Sequence, residues 1–102
     1  MLLDRPMQAL PDCNEALRLR PGYGDALDGR GIIELKLKKA AAARADCDAA
    51  LRSYTRDAQA LYCRGLARHR LGDKQGGDAD IAAAKTVNPA IAETFASYGL
   101  KG

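Results

Sequence analysis

"GRGII" at Gly29–Ile33 and "CRGLA" at Cys63–Ala67 carry the same Arg-Gly pair, 34 residues apart. The interval recurs along the chain. Leu27, Leu61 and Phe95 fall on it, as do Gly31, Gly65 and Gly99, Leu3, Leu37 and Leu71, Ala16, Ala50 and Ala84, and Ala9, Ala43 and Gly77. Cys13, Cys47 and Ile81 form another column, and Asp12, Asp46 and Asp80 a further one. Pro21 and Pro89 lie two intervals apart with Thr55 between them. So many coincident columns define a repeating structural unit.

Within each unit the signals describe two helices joined by a tight turn. Asp25 to about Lys38 and Ala58 to about Leu71 are helix formers with an apolar stripe, the second run closed by "LGDK" at Leu71–Lys74. Ala40 to about Ser53 and Lys74 to about Val87 follow as second helices, and the later one stops before Asn88-Pro89. Pro89 is expected to open a last short helix through Tyr98, since proline suits a first helical turn. Gly31 and Gly65 would then bring two helix backbones close, with Ala43 and Gly77 as the small partners across each hairpin and Ala50 and Ala84 behind them. A larger side chain would wedge the pair apart.

This pattern resembles the C-terminal portion of a bacterial-type tetratricopeptide repeat array, and the likeness rests on Leu27, Gly31, Ala43, Ala50, Leu61, Gly65, Ala84 and Pro89. Gly77, Thr55, Glu34 and Arg68 depart from the family's preferred residues. The resemblance implies an all-α superhelix of stacked antiparallel hairpins. Residues 1–22 would be a half repeat, 23–56 and 57–89 whole repeats, and 90–102 a capping helix around Phe95. The same alignment places Leu3 at the close of a missing first helix. The helix bearing Cys13, Ala16 and Leu17 would then expose an apolar stripe, which predicts either further upstream repeats or a homodimer formed through the incomplete repeat.

The arginines beside the glycines need partners. The column of aspartates supplies one acid per second helix. Matching each Asp to the next unit's first helix pairs Asp12 with Arg30, Asp46 with Arg64 and Asp80 with the Tyr98 hydroxyl, leaving none unmatched. This predicts ion pairs that join neighbouring repeats.

Sixteen Lys and Arg against thirteen Asp and Glu give a net charge of +3, too mild to argue for a nucleic-acid or membrane surface. "MLLDRP" is no secretory signal, because Asp4, Arg5 and Pro6 interrupt it. The three cysteines are odd in number and lack metal-site spacing, so the sequence indicates neither a disulfide framework nor zinc. Cys13 and Cys47 read as small buried hydrophobes. A cytoplasmic location is expected, with a periplasmic one open to a longer chain carrying an upstream signal.

No reaction chemistry assembles. "GYGDAL" at Gly22–Leu27 lacks a third glycine and a preceding strand, and "GDKQGG" at Gly72–Gly77 lacks the Gly-Lys-Ser/Thr of a phosphate loop. Cys63 and His69, six positions apart on one helix, point away from each other. The expectation is therefore a non-enzyme without cofactor or metal. The resemblance implies a peptide or partner helix held in a concave groove lined by first helices. By position, that groove would present Asp25, Asp28, Ile32, Leu35 and Lys36, then Gln59, Tyr62, Leu66, His69 and Arg70. Its second half carries cations without acids, favouring an acidic ligand segment. The Lys and Asn set by which some relatives grip a chaperone's terminal carboxylate is missing. The competing reading is a structural cap or self-association unit whose groove holds nothing specific.

Overall fold

The computed structural model of the protein describes residues 6–100, with side chains from residue 10 onward. Six helices follow one another: α1 (Pro6–Leu19), α2 (Gly24–Lys36), α3 (Ala40–Ser53), α4 (Ala58–Arg70), α5 (Lys74–Val87) and α6 (Ile91–Ser97). No strand occurs among the described residues. The period is visible in the boundaries themselves, since α1, α3 and α5 start at 6, 40 and 74 and α2 and α4 at 24 and 58. Helix α2 packs on α1 and α3, and α4 on α3 and α5, so each helix lies against its neighbours in sequence.

The turn chemistry repeats as well. After α2, Lys38 takes a left-handed conformation (φ 64°) and the Lys39 amide bonds the Glu34 carbonyl at 2.8 Å. After α4, Gly72 (φ 93°) does the same while the Asp73 amide bonds the Arg68 carbonyl at 2.8 Å. This six-to-one bond satisfies carbonyls left open at a helix end. It also explains why both helices stop two residues earlier or one residue earlier than the apolar pattern suggests. The last helix opens at Ile91 rather than at Pro89, because the Asn88 side chain accepts from the Ala90 amide at 3.1 Å and holds Pro89-Ala90 in a turn.

Small residues set the spacing inside each hairpin. A β-carbon placed on Gly65 would lie 2.7 Å from Ile81 Cγ1 and 2.9 Å from the Gly77 carbonyl oxygen. One on Gly77 would strike the His69 ring and come within 2.7 Å of the Gly65 carbonyl oxygen. In the preceding hairpin a β-carbon on Gly31 would reach the sulfurs of Cys47 and Cys63 at 2.7 and 3.0 Å. Ala43, Ala50 and Ala84 are fully or almost fully buried, as the repeat requires. Leu27, Leu61 and Phe95 also share one fate, all within the core.

Leu17 of α1 is buried, and Cys13 and Ala16 are half-buried with it against the rest of the fold. Their stripe is thus largely covered within the chain, contrary to the open face anticipated from the half repeat. The expected helix remnant ending at Leu3 lies outside the described residues, as do the Ala9 side chain and Gly102.

Candidate functional site

Of the ten groove positions, the structure removes five from a ligand's reach. Asp28, Ile32, Leu35, Tyr62 and Leu66 are each at most 4% exposed. At Tyr62 the end of the chain contributes to this burial. Phe95 of α6 packs on the Tyr62 ring with centroids 4.6 Å apart and touches Tyr98 in turn at 5.7 Å. Ile32, Leu35, Tyr62 and Leu66 belong to the same core cluster as Phe95 and Leu100. Asp25 and Arg70 remain exposed, with Lys36, Gln59 and His69 half-exposed between them.

The arginines form repeated nodes, but in a different register from that expected. Arg30 grips Asp46 with two parallel bonds of 2.7 and 2.8 Å, and Arg64 grips Asp80 with two of 2.8 Å. Both pairs lie within one hairpin, so the Asp12–Arg30 and Asp46–Arg64 pairings do not form. Asp12 is exposed, and a carboxylate open to solvent needs no partner. The Tyr98 hydroxyl has no bond to Asp80, whose carboxylate instead takes Arg64 and Arg68 at 2.8 and 3.0 Å. The link between repeats comes from another column. Arg30 reaches back to Asn14 and Arg64 to Asp48, each at 3.0 Å. Each guanidinium therefore joins its own hairpin to the preceding second helix, which suits its planar fork of donors. A double-mutant cycle on Arg64→Ala and Asp80→Ala should give a coupling of about 1 to 2 kcal/mol in thermal or denaturant unfolding. The corresponding cycle with Asp46 should give a coupling near zero.

Two carboxyls stand out in the same region. Burial, followed by the neighbouring Asp57 carboxyl, pushes Asp28 up to about 9. Its Oδ1 has no partner among the described groups. Burial, followed by proton sharing with Asp46, pushes Glu34 up to about 8. Burial also acts to raise Asp46, but hydrogen bonds from Arg30 and Glu34 outweigh it and hold this carboxyl below its ordinary value. Glu34 occupies the position that Arg68 fills one repeat later. An acid there puts a second carboxyl beside Asp46, which favours the protonated form of Glu34. Folded pKa values above the unfolded ones of 3.8 and 4.5 mean that the folded state holds protons the unfolded chain has lost. Stability from these groups is fully present below about pH 4 and is lost as pH rises through 8 to 9. The melting temperature should accordingly fall from pH 5 to pH 9, and Asp28→Asn should flatten that fall and raise the melting temperature at pH 8. An unchanged slope in the variant would remove Asp28 as its source.

The cysteine expectation changes at two of three positions. Cys47 on α3 and Cys63 on α4 form a disulfide, with Cα atoms 6.4 Å apart and both residues fully buried. Cys13 keeps a free thiol, which burial raises above its ordinary pKa. Cys63 therefore offers no thiol for nucleophilic chemistry, and His69 bonds Asp78 at 2.8 Å instead. Among the described residues no cluster of His, Cys, Asp or Glu could hold a metal ion, and no helix is long and apolar enough to cross a membrane.

A recess of about 620 Å³ lies at the ends of α2 and α4, next to the segment that follows α6. Lys36, Lys38 and Arg70 line it above Leu35, Tyr98 and Leu100, and among the described residues no acid contributes to its wall. Lys36 Nζ donates to the Tyr98 carbonyl, and Arg70 Nη1 donates to the Leu35 carbonyl at 2.6 Å. Lys36 and Arg70 are repeat equivalents, so one column of cations ties the ends of three first-type helices together. A second recess of about 390 Å³ is lined by Arg52 and Arg64, and Asp48 on the same wall pairs with Arg64 at 3.0 Å. Sequence reasoning found Lys36 and Arg70 but not Lys38, whose significance lies in its left-handed backbone. No family model matches the chain, and no curated protein matches it in sequence.

Proposed function

We propose that the protein is a non-catalytic interaction module of the tetratricopeptide type, which binds a peptide or helix of a partner protein. The observation that carries this reading is the repetition of whole contact sets. The Arg-Asp node, the left-handed helix end and the glycine contact each recur one period later, as in a linear array whose stacked units offer an extended surface. The ligand-facing residues are the exposed remainder of the groove, from Asp25 and Gln59 to Lys36, His69 and Arg70. The buried cystine favours an oxidising compartment over the cytoplasm first expected.

A second reading, a structural cap of a longer array, draws on the same α6. Phe95 and Ile91 close the core at that end. A photo-crosslinking residue at Gln59, compared with one at the exposed Arg52 of α3, separates the two. An interaction module yields a discrete adduct with one partner from Gln59 alone. Equal or absent adducts at both positions would favour the cap.

A further inference from the structure

Resting on that reading, we propose that the basic cavity between the ends of α2 and α4 binds carboxylate side chains of an acidic segment in the partner. Among the described residues, three cations line the recess without a balancing acid, whereas the Arg30 and Arg64 nodes are each paired with one. Lys36 and Arg70 are held towards it by single bonds to the Tyr98 and Leu35 carbonyls. An ammonium has three donors and a guanidinium five, so both keep donors for an incoming anion. Leu35 and Leu100, both almost fully buried, form an apolar floor beneath the cations.

Lys38 supplies the independent sign. It is the one non-glycine residue with positive φ among those described, at a helix end where the next repeat uses Gly72. A side chain in this conformation costs about 1 kcal/mol, and such outliers gather at binding sites. Here the strained residue places an exposed ammonium on the cavity wall. A carboxylate suits the site better than a neutral acceptor, because the two carbonyls that the cations already hold cannot cancel their charge.

Lys38→Gly is the informative variant, since it removes the ammonium while relieving the backbone. Fluorescence anisotropy of labelled hexaglutamate, with hexaglutamine as the neutral control, reads the binding. Hexaglutamate should bind and hexaglutamine should not. Lys38→Gly should weaken hexaglutamate at least about fivefold while raising the melting temperature, and Arg70→Gln should weaken it similarly. Lys85→Gln, on the exposed side of α5, should leave it unchanged. Absence of hexaglutamate binding, or equal losses at Lys38 and Lys85, would overturn the assignment. Should the Gln59 adduct persist in that case, the interaction reading stands and only the carboxylate site fails.

Discussion

Breaking the Cys47–Cys63 bond is expected to lower stability by about 3 kcal/mol, the value for closing a loop of this size. For a domain of about 100 residues that is a fall in melting temperature of roughly 12 °C or more. The bond joins α3 of one hairpin to α4 of the next, so its loss frees the interface between repeats and leaves each hairpin's own contacts in place. Both sulfurs are shielded from solvent, which makes reduction of the folded chain slow. The comparison therefore uses protein reduced while unfolded and then refolded, beside Cys47→Ala/Cys63→Ala, whose melting should not respond to reductant. Alkylation of the unfolded, unreduced chain should label Cys13 alone. Three labelled thiols, or identical melting with and without reductant, would contradict the bond.

The period carried most of the fold into view. A 34-residue recurrence of leucine, glycine and alanine predicted four helices whose starts agree with the structure to within one residue, because small and apolar side chains obey local periodicity; the last helix, expected from Pro89, opens two residues later. What periodicity could not supply was the register between helices. Asp12, Asp46 and Asp80 share a column, but the column alone does not say whether Arg64 turns to its own hairpin or the previous one. The assumption that every acid needs a partner chose wrongly, since Asp12 is content in water. The cystine was missed for a related reason: a separation of 16 residues resembles no local motif, and only helix packing brings Cys47 to Cys63 above Gly31. The groove was overestimated because its positions were carried from the repeat without the last helix. Phe95 on Tyr62 turns that strip into core and shifts the open cations to one end.

The central claim is that hairpins close because glycine leaves no atom between their backbones. Gly65→Ala tests this beside Gly24→Ala, an exchange at the first residue of α2 where an added β-carbon meets nothing within 4 Å. In urea unfolding, Gly65→Ala should cost about 1 to 3 kcal/mol, since Ile81 and the Gly77 carbonyl must be pushed back. Gly24→Ala should instead gain about 0.4 to 1 kcal/mol by restricting the unfolded chain. Opposite signs are the predicted result, and a Gly65→Ala protein as stable as Gly24→Ala would contradict the account.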